Sequence, residues 1–204
     1  MEDIIKCLFL KKLIEKKENL ELVSSEVSLM GGKRFIDILT VEGSQVIAYE
    51  IKSKKDNLSK LEKQLEDYLK IFDKVYVILD KKFEKKIENI PKNVGIIIFD
   101  SNNNFVLRKH AKKNSPIQYY QSLFISKNYL RKYRKNNNDS LFAARHYVIQ
   151  NIPKQKFKKM VLEGLREYFL EGFLLFKEEI EKNSNIIHPD DISLLKKRFY
   201  MKVF

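Results

Sequence analysis

Cysteine is almost missing from this chain: Cys7 is the only one in 204 residues. A single thiol cannot close an internal disulfide or build a thiolate metal cluster, so the expected compartment is the reducing cytoplasm. Histidine is scarce as well. His110, His146 and His188 fall at no ligand spacing such as H-x-x-x-H, which argues against zinc. No apolar run reaches the roughly 18 residues of a membrane-spanning helix, so no membrane partner is expected. The opening MEDIIKCLFLKKLIEKK is broken by lysines and lacks a cleavage site. It reads as an amphipathic helix rather than a secretion signal. A G-x-x-x-x-G-K-[ST] loop is missing too, which leaves an NTP-driven motor unsupported. No internal repeat is visible.

What the chain has in excess is positive charge. Its formal net charge is +13, from 40 Lys/Arg against 27 Asp/Glu. Residues 1–100 hold 19 and 18 of these, and residues 101–204 hold 21 and 9, so the second half carries nearly all the surplus. Such a surface attracts polyanions, nucleic acid first among them. A Lys-, Asn- and Ile-rich composition inherited from an AT-rich genome is the competing explanation.

The patterning predicts an α/β domain with a mixed sheet, followed by a helical region. Residues 3–17 read as a helix, and 20–29 as either a helix end or a short strand. Met30 to Lys33 is turn chemistry. Arg34–Val41 and Gln45–Lys52 read as two strands of a hairpin across Glu42-Gly43-Ser44. A helix follows, with Ser59 and Glu62 at capping-box spacing and Leu61, Leu65, Tyr68, Leu69 and Phe72 on its apolar face. Val75–Leu79 and Val94–Phe99 are continuous apolar strands, a short basic helix covers 81–89, and Phe105–Arg108 is an edge strand. Helical patterns then cover 116–134, 140–150, 154–182 and 189–201. Arg131 to Asp139 is the linker candidate. The domain division is 1–112 for the α/β core and 113–204 for the basic helical region.

One constellation carries chemistry. Asp37 interrupts an apolar strand, while Glu50 and Lys52, two residues apart, share one face at the end of the next. A hairpin sets Asp37 beside Glu50, and two adjacent carboxylates repel unless a divalent cation lies between them. Mg²⁺ (or Mn²⁺) accepts two carboxylates, a backbone carbonyl such as that of Ile51, and water. Lys52 is then placed to hold or deprotonate the water that attacks a phosphodiester. The E-x-K pattern alone says nothing, because Glu15–Lys17 and Glu84–Lys86 repeat it in predicted helices. A surface hairpin with Asp37 and Lys52 as a solvated ion pair is the plain alternative.

Several ordered positions carry a resemblance. They are Gly32-Lys33-Arg34-Phe35-Ile36-Asp37-Ile38, Tyr49-Glu50-Ile51-Lys52-Ser53, Asp56-Asn57-Leu58, Leu61, Gln64, Tyr68 and Phe72-Asp73-Lys74-Val75-Tyr76-Val77. Over residues 20–80 the chain resembles the sce7726 group of the PD-(D/E)xK nuclease superfamily. The resemblance implies a restriction-endonuclease-like core with a mixed central sheet flanked by helices. It also implies metal-binding acids at Asp37 and Glu50, a catalytic lysine at Lys52 and a further acid at Glu26, on or just after the first core helix. Gln64 and Tyr68 match a Q-x-x-x-Y pair. From the residues alone, these two share a helix face. Gln64 can assist at the site, and Tyr68 can contact nucleic acid or simply pack in the core. Arg34 falls on the opposite strand face from Asp37 if the strand is regular.

The expectation is a metal-dependent nuclease acting on DNA. Lys54 and Lys55, and Arg131, Lys132, Arg134 and Lys135 in an aromatic-basic stretch, are the phosphate-contact candidates. In that stretch, inward packing of the aromatics explains the pattern equally well. The apolar helix around 157–176 suits core packing or a homo-oligomer interface. A catalytically silent nucleic-acid-binding or protein-interaction module on the same fold is the rival reading.

Overall fold

The computed structural model describes residues 2–196 apart from 17, 30, 31, 33 and 137. Helix α1 (Glu2–Lys16) buries Ile5, Lys6, Phe9, Leu10 and Leu13, spaced by threes and fours along one side. Strand β1 (Leu20–Leu29) resolves the ambiguity at 20–29 in favour of a strand. Leu22 and Val23 are both fully buried, as are Ser24 and Ser25. Both faces of β1 are thus covered, which erases the alternation that marks a half-exposed strand.

Strands β2 (Arg34–Glu42) and β3 (Gln45–Lys52) form the expected hairpin. Glu42 pairs with Gln45 and so belongs to the strand, and Gly43 takes the left-handed turn position at φ +58°. Helix α2 (Leu61–Leu69) leads to β4 (Lys74–Asp80), and a 3-10 segment (Lys81–Asn89) leads to β5 (Gly95–Phe99). The edge strand β6 (Phe105–Lys109) completes a six-stranded sheet in the order β1-β2-β3-β4-β5-β6. Its β3–β4 and β4–β5 pairs are parallel and the others antiparallel. Parallel strands need both faces covered, and Val75, Val77, Ile78 and Leu79 are all fully buried.

Helices lie on both faces. Phe9 of α1 meets Tyr49 at 5.0 Å between ring centroids, and Tyr68 of α2 reaches Glu50 from the other face. The C-terminal region comprises α3 (Gln118–Gln121), α4 (Lys127–Arg131), α5 (Leu141–Asn151) and α6 (Lys154–Lys182). It shares one continuous apolar core with the sheet. Helix α6 is tied to β1 by the Arg166–Glu21 ion pair and to the residue before β4 by the Lys158–Asp73 ion pair. Its Gly164 lies against the Phe124 carbonyl, where a Cβ has no room. Among the described residues no helix is long and apolar enough to cross a membrane.

Local expectations change at three places. Ser59 does not cap α2: its hydroxyl donates to Asn57 Oδ1 at 2.6 Å, and the N-cap is Lys60 with no side-chain bond. The 116–134 stretch is not one helix. It breaks at a 3-10 turn (Ser122–Phe124), and Ser126 caps α4 afresh by accepting from the Tyr129 N–H. The last helix is a short 3-10 turn (Asp191–Leu195), with Asp191 accepting the His188 N–H at 2.7 Å. The remainder of that expected helix, 197–201, lies outside the described residues.

Candidate active site

Register decides which residues meet. Ser25 pairs with Ile38 and Val27 with Ile36, so Glu26 lies opposite Asp37. Pairing of β2 with β3 ends at Ile38–Tyr49, and continuing it by one rung sets Asp37 opposite Glu50. Glu26, Asp37 and Glu50 therefore share one row across three adjacent strands. The row interrupts the ladder. Glu26 has φ +52°, a left-handed backbone that non-glycine residues adopt at a cost. Asp37 Oδ2 accepts the Ile51 N–H at 2.7 Å, doing with a side chain what a backbone carbonyl does elsewhere in the sheet. Ser25 Oγ in turn donates to the Asp37 carbonyl at 2.9 Å. The N–H and C=O of one strand residue point the same way, so the Ile51 carbonyl also faces the β2 side.

Glu50 is buried, and two groups engage it. Lys52 Nζ lies 2.6 Å from Oε1, and the Tyr68 hydroxyl lies 2.9 Å from Oε2. The same hydroxyl lies 2.7 Å from the Phe35 carbonyl oxygen. A phenol has one proton and here meets two acceptors. Tyr68 is the donor to both, so its single proton is shared between the Glu50 carboxylate and the Phe35 carbonyl. Burial pushes the Glu50 carboxyl above its usual range, against the opposing pull of Lys52 and Tyr68. Asp37 is pushed well up, first by burial and then by the charge of Glu50. Burial alone lowers a lysine, but the Glu50 carboxylate outweighs it and raises Lys52. A raised Lys52 keeps its proton. That favours holding and orienting a water or a phosphoryl oxygen over deprotonating one.

The sequence reading missed a second lysine. Lys6 of α1 is 1% exposed, and its Nζ lies 3.3 Å from Glu26 Oε1, 3.5 Å from Glu2 Oε1 and 3.9 Å from Asp37 Oδ1. The signal was available. Lys6 falls four after Glu2 and three and four before Phe9 and Leu10, so it sits within the apolar face, where an unpaired lysine is rare. Glu26 is not on the first helix or just after it. It stands inside β1, and its Oε1 also meets Lys196 Nζ at 2.7 Å. Its carboxyl resists burial through these two lysines and stays below its usual range.

Among the described residues, no three His, Cys, Asp or Glu side chains are gathered as a metal group. The donor set thus reduces to the carboxylates of Asp37 and Glu50, with Glu26 held apart by its lysines and the Ile51 carbonyl nearby. Two facing carboxylates with upward-shifted pKa values fit a hard divalent cation that keeps several waters. Gln64 is half-buried one turn ahead of Tyr68, and its amide is not bonded to Asp37, Glu50 or Lys52. Tyr68 is fully buried, so it supports Glu50 from inside and cannot contact a nucleic acid. Lys54 and Lys55 are exposed just past Lys52, in a loop held by Asp56, which accepts from the Ser53 N–H and Oγ at 2.8 and 2.6 Å.

Arg131, Lys132 and Lys135 are exposed and Arg134 half-buried, in a separate patch on α4 and the turn after it. There Tyr129 stacks on Tyr133, Lys132 lies over the Tyr129 ring at 5.0 Å, and Lys135 lies over Tyr147 at 5.9 Å. Arg34, read as facing away from Asp37, pairs with Asp67 of α2 at 3.1 Å.

The family model described as bacteriophage P4 protein cII matches residues 1–196. Protein cII of Enterobacteria phage P4 is 32% identical over 92 residues, which is 45% of this chain and 34% of that protein. The match therefore spans about a third of the relative's length. Among solved structures, the SPO1766 protein of unknown function from Silicibacter pomeroyi aligns with 14% identity and a TM-score of 0.44. That alignment covers 81% of this chain and 90% of the other.

Proposed function

The chain belongs to the bacteriophage P4 protein cII family, and we propose that it is a divalent-metal-dependent nuclease that hydrolyses phosphodiester bonds, with DNA as its substrate. The observation that carries this reading is the row Glu26–Asp37–Glu50 at an interrupted sheet rung, with Lys52 2.6 Å from Glu50. A helix before three antiparallel strands, then a crossover helix into parallel strands, supports a restriction-endonuclease-like assignment for the core.

In this reading Asp37, Glu50 and the Ile51 carbonyl hold Mg²⁺ or Mn²⁺, with Glu26 as a further acid. The cation supplies charge stabilisation for the phosphoryl oxygens. Asp37 is oriented by the Ile51 N–H through Oδ2, which leaves Oδ1 without that bond and on the side of Lys6. Glu50 is oriented by Tyr68. Lys52, protonated, orients the attacking water and offsets negative charge as it develops. Gln64, one helical turn before Tyr68 on α2, is the candidate to assist. Lys54 and Lys55 flank the site, and Arg131, Lys132, Arg134 and Lys135 extend phosphate binding along the backbone.

The second reading is a nucleic-acid-binding module that does not cut. What favours it is that lysines already pair with Glu26 and Glu50, and Lys6 stands 3.9 Å from Asp37. The test is incubation of plasmid DNA with Mg²⁺ or Mn²⁺, comparing wild type with Asp37→Ala and Lys52→Ala. Nicking by wild type that both variants lose is the expected result. DNA that stays intact but bound with all three proteins supports the second reading. DNA neither cut nor retained at low salt points instead to a protein partner.

A further inference from the structure

Lys6 is the feature that the proposed chemistry does not use. It is a fully buried lysine on α1, and three carboxylates from α1, β1 and β2 surround its ammonium. An ammonium out of water persists only where anions replace its hydration. Its partners include Oδ1 of Asp37 and Oε1 of Glu26, two acids of the row described above. Asp37 Oδ2 and both oxygens of Glu50 are engaged elsewhere, by Ile51, Lys52 and Tyr68. The remaining oxygen of the pair, Asp37 Oδ1, faces Lys6 at 3.9 Å. That is close enough for attraction and too far for a hydrogen bond. The ammonium is therefore hydrogen-bonded to Glu26 but held to Asp37 by attraction alone, beside the carboxylate oxygen that a metal would need.

We propose that the Lys6 ammonium is an internal cation that competes with the divalent metal for Asp37 and Glu26. Loading the site requires Lys6 to retreat toward Glu2, its partner one turn earlier on the same helix. Lys6 is then a positioning residue: it keeps the acids together without metal and sets how tightly metal binds. This rests on the metal-site reading above.

The test is calorimetric titration of Mn²⁺ into the full chain, comparing wild type, Lys6→Met and Lys6→Gln, with Asp37→Asn as the reference for loss of the site. Removing a competing positive charge is expected to tighten Mn²⁺ binding at least about tenfold in both Lys6 variants. Unchanged or weaker binding in the variants, with wild type binding normally, overturns the role of Lys6 and leaves the metal site standing. No binding by wild type or either variant overturns both. If the variants do not fold alone, circular dichroism with added Mn²⁺ decides. Recovery of the fold by Mn²⁺ supports the proposal, and its absence overturns it.

Discussion

Removing one oxygen from Tyr68 tests the support beneath Glu50. The Tyr68→Phe ring fills the same buried space, so only the hydroxyl and its two contacts are lost, at 2.7 Å to Phe35 and 2.9 Å to Glu50. A buried neutral hydrogen bond contributes about 0.5–1.5 kcal/mol and one to a charged group about 1.5–3 kcal/mol. The two together predict a loss of about 2–4 kcal/mol. At roughly 2–4 °C per kcal/mol for a chain of this size, Tm falls by about 5–15 °C. Urea denaturation followed by far-UV circular dichroism measures the loss, with the slope unchanged if the native and unfolded states keep their compactness. Tyr147→Phe on the exposed patch is the control and stays within about 0.5 kcal/mol. If Tyr68→Phe is as mild as the control, the hydroxyl does not hold Glu50 and the proton-sharing arrangement is wrong.

Three further outcomes are expected. Asp37 and Glu50 both have carboxyls raised in the folded chain. Their contribution to stability is fully present below the unfolded carboxylate pKa and is lost as pH rises through the folded values. Metal-free Asp37→Asn, which keeps an oxygen for the Ile51 N–H, loses less stability than wild type between mildly acidic and neutral pH. Asp37→Ala forfeits that bond and is about 1–3 kcal/mol less stable than Asp37→Asn. Thermal melts across pH check both, and equal pH slopes for wild type and Asp37→Asn contradict the sign. Gly164→Ala gains up to about 1 kcal/mol of helix propensity but presses a methyl into the Phe124 carbonyl. A net loss of about 1–2 kcal/mol is expected, and a stabilised Gly164→Ala chain refutes the close approach of α6.

Much of the sheet was legible because its strands announce themselves. The β2–β3 hairpin follows from alternation, a glycine turn and two flanking runs, and β4 and β5 from unbroken apolar stretches. Asp37, Glu50 and Lys52 were legible for the same reason, since charge is conspicuous inside strands. Strand β1 was not, because burial on both faces hides a period of two. Tyr68 was read as either contact or core, and only packing shows it buried against Glu50. Lys6 was hidden in a lysine-rich helix, where its position on the apolar face drew no notice. The helical region was read by periodicity, which cannot register the break at Ser122–Phe124 or choose a 3-10 turn over an α-helix at Asp191–Leu195.

If Asp37, Glu50 and Lys52 cut a phosphodiester backbone, cleavage must depend on both metal and Glu50. The most direct measurement is the cleavage rate of labelled single- and double-stranded DNA, with Mg²⁺ or Mn²⁺ against chelator, for wild type and Glu50→Gln. Metal-dependent cleavage by wild type that falls at least about 100-fold in Glu50→Gln is expected. Wild-type DNA left uncut under every metal condition, or cleavage undiminished in Glu50→Gln, contradicts it.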